Sequence, residues 1–398
     1  MRDNDDLAVD IKGDCFSGKK ILFGITGGIA ASESIKLIRE LRRFQPNITI
    51  IMTKSAQKII TPLAVSWAGN CEIITDWEHQ MSGLSNYDGI LVSPCTRNFL
   101  SKLVSGVIDS PLMMAIAAAE YNNIPVMIVP SMHQSLADNE KTQHLCNQIE
   151  GRYSKILWGE KTENKYKQPN SIEIVANFAN HVNSYLKNRK NIVVTLGSTT
   201  TMIDDIRYVK NTSSGETGYE IASRLFRWGH DVTIVAGETN HKPEFNIPLE
   251  IKCPNPEEML KELIALSKCS IDVWIHAAAV LDYIHNEPII GKIASGSDNI
   301  TFSLTKYKKH LIELEKIVKK SFRVAFKLES NITLKQLISK SSSFVVKNNL
   351  DAVIANRLED LNQTDKNRAH LILRNGDHFA IPNLKELSNA IRQLIDNN

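Results

Sequence analysis

Short apolar runs alternate with longer stretches in which apolar residues recur every three or four positions, and the alternation repeats along the chain. Runs at 20–25, 48–52, 89–92 and 126–129 read as strands. Residues 31–44 and 112–121 read as helices, with Ile35, Leu37, Ile38 and Leu41 on the apolar face of the first. A further helix is predicted near 98–103, and residues 166–171 read as a polar linker. The periodicity of 171–187 predicts a helix that leads into a second, similar series. There, strands at 192–196, 231–235, 273–277, 323–327 and 351–355 are separated by helices over 219–228, 256–267, 309–318 and 333–347. Apolar runs at 370–373 and 376–380 and a helix over 384–394 close the chain. Strands alternating with helices predict parallel βαβ units, so the fold class is α/β with two doubly wound sheets. The boundaries expected are a polar tail over 1–18, a first domain over 19–187 and a second over 188–398.

Composition narrows the function. A chain of 398 residues with 42% hydrophobic and 23% charged residues suits two or three globular domains. A net charge of +3 is too small to predict a nucleic-acid partner. The six cysteines are scattered without a Cys-x-x-Cys pair, which predicts neither a zinc site nor a disulfide framework. No run approaches 18 apolar residues and no signal-peptide region opens the chain, so the expectation is a cytoplasmic protein with no membrane segment.

The candidate chemistry lies in loops that follow strands. Asn211-Thr212-Ser213-Ser214-Gly215-Glu216-Thr217-Gly218 opens a helix after the strand at 192–196. A helix start carries unpaired N–H groups and partial positive charge, and small residues let an anion approach them. Such a turn is about as often only a helix cap. Thr26-Gly27-Gly28 follows the first strand and can cradle a phosphate. Thr53-x-Ser55 and Ser93-Pro94-Cys95-Thr96-x-Asn98 end two further strands. Gly-x-Gly-x-x-Gly is absent from the second domain, which argues against an NAD enzyme.

The order of these motifs in the second half is specific. Gly197-x-Thr199, Ile203-Asp204, Arg207, Asn211, Ser213-Ser214-Gly215 and Gly218 are followed by Ala277-Ala278-Ala279-Val280-x-Asp282-Tyr283, Lys292-Ile293, Phe326-x-x-Glu329 and Leu350-Asp351-x-x-x-Ala355-Asn356. This series resembles phosphopantothenate–cysteine ligase, the ligase half of the bifunctional coenzyme A biosynthesis family, over about 190–395. The resemblance implies a Rossmann-like domain that joins 4′-phosphopantothenate to cysteine at the expense of a nucleoside triphosphate, CTP or ATP, with Mg²⁺. It implies that Asn211 orients the acyl-nucleotide, that Ser213, Ser214 and Gly215 form an anion cradle, and that Lys292 meets the triphosphate. Ala277, Ala278, Asp282 and Phe326 would line the nucleotide site. Lys340 and Lys347 fall where that family carries a phosphate-closing loop.

The first half resembles the flavin domain of phosphopantothenoylcysteine decarboxylase over about 19–150. This implies a flavodoxin-like domain in which Thr26, Gly27, Gly28, Thr53, Ser55, Thr96 and Asn98 hold FMN. Departures fall where that family does its chemistry. Alignment on Leu84 puts Met81 where the catalytic His belongs, with His79 nearby. His133 stands in place of the Asn of Pro-Ala-Met-Asn, and the segment between Gly151 and Pro169 has no cysteine. The expectation is a flavin domain impaired in decarboxylation beside a working ligase. The alternatives are the full bifunctional enzyme, with His79 or His133 as substitute acid, or an inactive flavin- and nucleotide-binding scaffold. The resemblance also implies a homo-oligomer.

Overall fold

The apolar runs of the first half pair as β1 (Lys20–Ile25), β2 (Asn47–Met52), β3 (Ile73–Ile74), β4 (Gly89–Cys95), β5 (Val126–Pro130) and β6 (Ser154–Ile156) in one parallel sheet. Their order is β3-β2-β1-β4-β5-β6. Without the two-residue β3 this is the flavodoxin-like order. The computed structural model describes residues 8–77, 86–294, 299–361, 363 and 365–397. The chain divides into two compact units, Met1–Leu186 with Arg227–Gly229 and Lys187–Phe226 with His230–Asn398.

Both faces of the first sheet are covered. Ile21, Phe23 and Ile25 of β1 pack with Leu37, Ile38 and Leu41 of α1 (Ser34–Arg42) and Phe178 of α6 (Ser171–Asn183). Leu22 points the other way, into a cluster with Leu100 of α3 (Arg97–Val104), Leu112 and Ile116 of α4 (Pro111–Tyr121) and Cys146 of α5 (Glu140–Ile149). A strand buried on both faces reads as a continuous apolar run, which is why these strands were legible. The helix α2 (Pro62–Gly69), capped by Thr61, was not predicted, because its apolar residues follow no clear period. Within the expected polar tail, Phe16 is fully buried, and the Lys12 and Phe16 amides donate to the carbonyls of Arg43 and Phe44. Tyr166, read as the start of a linker, instead ends a small hairpin: Lys165–Tyr166 pairs with Lys161–Thr162 on one side and Met132–His133 on the other.

The second sheet comprises β7 (Asn191–Leu196), β8 (Asp231–Ala236), β9 (Leu249–Lys252), β10 (Val273–His276), β11 (Phe322–Glu329), β12 (Ala352–Arg357), β13 (Ala369–Leu373) and β14 (His378–Ile381). Its order is β9-β8-β7-β10-β11-β12-β13-β14, with the last two strands antiparallel. The first six strands give the Rossmann-like order, which reverses between β7 and β10. Trp274 and Val193 pack with Met259 and Leu263 of α8 (Pro256–Leu266), and Ala325 and Val353 with Leu337 and Val345 of α9 (Leu334–Lys347). Each such fully buried large side chain contributes about 1.5–3 kcal/mol. Helix α7 (Glu216–Arg227) begins before the first residue expected from periodicity, and α10 (Leu384–Asp396) ends the chain. Among the described residues no helix is long and apolar enough to cross a membrane.

Candidate functional site

The carboxyl ends of β7, β8 and β10 bring three loops together at the point where the strand order reverses. Ala277 and Ala278 donate their amides to the carbonyl and hydroxyl of Thr195, at 3.1 and 3.2 Å. The Ala279 amide donates to Gly197 O (2.8 Å), and the Leu281 amide to Thr199 Oγ1 (2.9 Å). Ser198 and Glu238 exchange backbone hydrogen bonds. Gly197 has φ +76°, and a Cβ there would lie 2.7 Å from Glu238 O, so this turn takes glycine alone. Asn211 closes the arrangement: its Nδ2 donates to Ala279 O (3.2 Å) and Val280 O (3.1 Å). Two carbonyls can only accept, so the amide nitrogen must face them and Asn211 Oδ1 is left as an acceptor.

At the start of α7, Ser214 Oγ accepts from the Glu216 amide (3.3 Å), so its hydroxyl serves as a helix cap. The Ser214 carbonyl accepts from Asn240 and His241. Gly215 has φ +84°, and a Cβ would meet Thr239 Cγ2 at 2.8 Å. Ser213 is half-buried beside it. Arg368, which sequence reasoning missed, reaches this helix start from the residue just before β13: it donates to Thr217 Oγ1 (3.2 Å) and lies 3.8 Å from Glu216. No sequence signal ties residues 151 positions apart.

Lys292 lies on a segment held by two aspartates. Buried Asp204 accepts from the amides of Ile206 (2.9 Å), Arg207 (2.6 Å) and Ile293 (3.1 Å) and from the Arg207 guanidinium. Desolvation pushes the Asp204 carboxyl up, but these hydrogen bonds outweigh it and hold the pKa at about 2. Asp205 accepts from the Gly291 amide (2.9 Å), and the Ile289 amide donates to Ile203 O (2.9 Å). The backbone on both sides of Lys292 is therefore fixed, while its side chain is exposed and makes no ion pair among the described residues.

The remaining nucleotide-site candidates do not all converge. Asp282 Oδ1 lies 3.5 Å from Lys309 Nζ, an exposed pair of small energetic weight. Phe326 is half-buried on β11. Lys340 pairs with Glu329 (3.1 Å) at the carboxyl end of β11, where Lys327 also holds Glu329 (2.8 Å). These lysines, Lys327 first, keep the Glu329 carboxyl below its ordinary range against a desolvation that opposes them. Lys347 is placed elsewhere. It is exposed in the last turn of α9, next to Asn348, whose carbonyl accepts from Arg323 near the amino end of β11. A helix returning between parallel strands ends at their amino edge, so Lys347 lies away from the Lys292 loops.

In the first domain the flavin-loop candidates line two adjoining cavities. One of about 410 Å³ is lined by Thr26, Gly27, Thr53, Ser55, Thr96 and Asn98. One of about 920 Å³ is lined by Gly28, Thr96, Asn98 and residues of the hairpin, including Tyr166. Three of the hydroxyls are fasteners between loops. Thr26 Oγ1 donates to Pro94 O (2.8 Å) and accepts from the Thr96 amide (3.1 Å). Thr53 Oγ1 donates to Ile25 O and accepts from the Ala56 amide, both at 3.3 Å, and Thr96 Oγ1 caps α3. Gly27 permits the closest approach: a Cβ there would lie 2.2 Å from Ser55 Cβ. Ser55 and Asn98 keep exposed side chains at the cavity edge. Trp77, not singled out from sequence, also lines the smaller cavity.

His133 is exposed and lines the larger cavity. His79 lies outside the described residues. Among the described residues no cysteine lines either cavity. Buried Cys95, at the end of β4, has its thiol pushed well up by desolvation.

The family model described as DNA/pantothenate metabolism flavoprotein C-terminal domain matches residues 187–397, and the flavoprotein model matches residues 11–202. A coenzyme A biosynthesis bifunctional protein CoaBC from Thermococcus kodakarensis is 31% identical, covering 86% of this chain and 86% of its own length. Another from Methanocaldococcus jannaschii is 32% identical, over 87% and 85%. Among solved structures, the DNA/pantothenate metabolism flavoprotein from Streptococcus pneumoniae is 23% identical, covering 52% of this chain and 99% of that one at a TM-score of 0.48.

Proposed function

We propose that this chain, which belongs to the family of coenzyme A biosynthesis bifunctional proteins and is a phosphopantothenate–cysteine ligase, activates its substrate with CTP and carries an FMN-binding domain impaired in decarboxylation. The observation that carries the ligase reading is the junction of the Asn211 and Ala277–Asp282 loops at the reversal of strand order, with Lys292 on a fixed backbone beside Asp204.

A carboxylate is a poor acyl donor, so it must first gain a leaving group. A 4′-phosphopantothenate carboxylate oxygen attacks the α-phosphorus of CTP, forming an O–P bond while the bond to pyrophosphate breaks. The cysteine amine then attacks the acyl carbon. The C–N bond forms, CMP leaves with the acyl oxygen, and the amine loses a proton. The protein's part is positioning and charge compensation. Asn211 Oδ1 is an acceptor, suited to the N–H of the incoming amine rather than to an anion. Lys292 supplies a cation to the triphosphate. Ser213, Gly215 and the start of α7 offer N–H groups to a phosphate, and Ala277, Ala278, Asp282 and Phe326 border the nucleotide. Mg²⁺ would enter with the triphosphate, held mainly by its oxygens. Among the described residues no group of three or more His, Cys, Asp or Glu is placed to hold a metal ion.

The first domain fits FMN. Contact of Gly27 with Ser55 brings two strand-end loops into one rim, and the cavities there leave space for a phosphate and a ring system. Ser55, Asn98 and the Gly27–Gly28 backbone would hold the phosphate side, and Trp77 borders the same space. Bound FMN supplies a two-electron acceptor for an oxidative decarboxylation. The cysteine-free lining supports a domain that lacks the proton donor for completing it. Six free cysteines support a reducing, cytoplasmic setting, and a homo-oligomer is proposed from the resemblance alone.

The test is incubation of the full chain with 4′-phosphopantothenate, cysteine, Mg²⁺ and either CTP or ATP, with products read by mass spectrometry. Accumulation of phosphopantothenoylcysteine with CTP is expected. Conversion onward to phosphopantetheine would make the chain the full bifunctional enzyme. No product with either nucleotide would leave only the scaffold reading.

A further inference from the structure

Arg97 is a cation of the larger flavin-domain cavity that has no ion-pair partner among the described residues. It follows Thr96 as the first residue of α3 and lines that cavity beside Ser131 and His133. The side chain is half-buried, and its Nε is shielded from solvent with no hydrogen-bond partner. Among the described residues the guanidinium makes no ion pair. The other charges at this wall are largely accounted for: Glu33, the cavity's carboxylate, pairs with Lys36 at 3.0 Å, and Lys167 pairs with Glu163 at 2.8 Å. Exposed Lys165 is the one further cation there without a described ion-pair partner. Only Nε is shielded; the terminal guanidinium nitrogens make no hydrogen bond among the described residues and are open to an anion brought by a ligand.

We propose that Arg97 grips the carboxylate of an acylated cysteine in this cavity, so that the flavin domain binds the ligase product by its cysteine end. This rests on the flavin reading of the domain above. The position of Arg97 favours the carboxylate over the phosphate of the same ligand. Its neighbours Thr96 and Asn98 line both cavities, so the guanidinium sits where the flavin loops meet the larger space. The cysteine end must approach a flavin for any redox step, while the phosphate lies at the far end of the pantetheine arm. A planar guanidinium also matches a carboxylate with two parallel hydrogen bonds. Such a pair stabilises the carboxylate in the ground state and so opposes loss of CO₂, in keeping with an impaired decarboxylase.

The experiment titrates the FMN-loaded full chain and reads the flavin difference spectrum, which reports this domain and not the ligase site. The probes are 4′-phosphopantothenoylserine, whose hydroxyl replaces the oxidisable thiol, and 4′-phosphopantothenoylethanolamine, which lacks the carboxylate. Pantothenoylserine without the phosphate forms the third arm. Arg97→Ala is expected to weaken both serine probes by about ten- to a hundred-fold and to change the ethanolamine probe by less than about two-fold. Arg97→Lys, which keeps the charge but not the paired geometry, is expected to recover part of the loss. Equal weakening of the serine and ethanolamine probes, or no weakening, overturns the carboxylate grip. Absence of flavin absorbance in the wild-type chain overturns the flavin reading itself, and flavin retained without any spectral response to the serine probe overturns the proposal alone.

Discussion

The side-chain amide of Asn211 lies 3.2 Å from the carbonyl oxygen of Ala279, joining a loop that precedes α7 to the loop that follows β10. The second bond, to Val280 O, fixes the direction of the amide. One side chain thus sets the gap between two walls of the proposed ligase site and leaves its Oδ1 as an acceptor.

Asn211→Ala should separate these walls. Ligation is expected to fall about 100-fold through misplacement of the reacting groups. The loss of two neutral hydrogen bonds should cost about 1–3 kcal/mol of domain stability. Steady-state kinetics and denaturant melts measure both. A fall in stability with unchanged turnover would confine Asn211 to a structural part.

On the proposed role of Lys292 as the cation for the triphosphate, Lys292→Ala is expected to raise the KM for CTP about ten- to a hundred-fold. Asp204→Asn, which weakens the hold on Ile293 without removing the lysine, should show the same sign with a smaller effect. A KM for CTP unmoved in both variants would separate this segment from the nucleotide.

Gly27→Ala places a methyl group 2.2 Å from Ser55 Cβ, and the loops after β1 and β2 must part. The expected result is loss of flavin absorbance from the purified protein. Ser55→Gly on the same background should recover only part of it, because the Ser55 backbone carbon also lies 2.9 Å from the added atom. Full FMN content in Gly27→Ala would count against this rim as the phosphate site.

Two buried histidines predict acid sensitivity. Burial first, against an opposing bond to a backbone group, lowers His181 and His310 to a pKa of about 4. Their folded pKa lies below the unfolded value of about 6.5, so the unfolded chain binds protons first as pH falls. Stability should therefore be level above pH 6.5, decline from there toward pH 4, and change no further from this source below it. By pH 4.5 each histidine should account for about 2–3 kcal/mol. Asp204 behaves in the same direction at lower pH: its contribution is present above about pH 4 and fades as pH falls toward 2. Thermal melts across pH 4–7 check the first window. A histidine-to-leucine change at 310 should flatten the decline.

The sheets were legible because their strands are buried on both faces and their loops carry motifs in fixed order. Periodicity placed α9 and α10 within a few residues, since their apolar faces are regular. It set α7 too late, because the cap at Ser214 acts through a hydroxyl that periodicity does not count. Arg368 and the hold of Asp204 on Ile293 were hidden, since both join residues far apart in the chain. The Lys347 assignment rested on the family resemblance. The fold puts that residue about two helical turns beyond Lys340, which meets Glu329 at the carboxyl end of β11. Phe16 shows the converse: a buried aromatic inside a polar stretch leaves no pattern to read.

The segment from Ile289 to Ile293 is fixed at Ile289, Gly291 and Ile293 before any nucleotide arrives. Ordering a free loop of that size on binding would oppose affinity by about 1–2 kcal/mol for each residue arrested. Here that entropy is lost once, at folding, and only the rotamers of the Lys292 side chain remain to be stilled. Nucleotide capture at this wall should therefore be quick and weakly dependent on temperature, with selectivity set by what the lysine can reach rather than by how the chain closes.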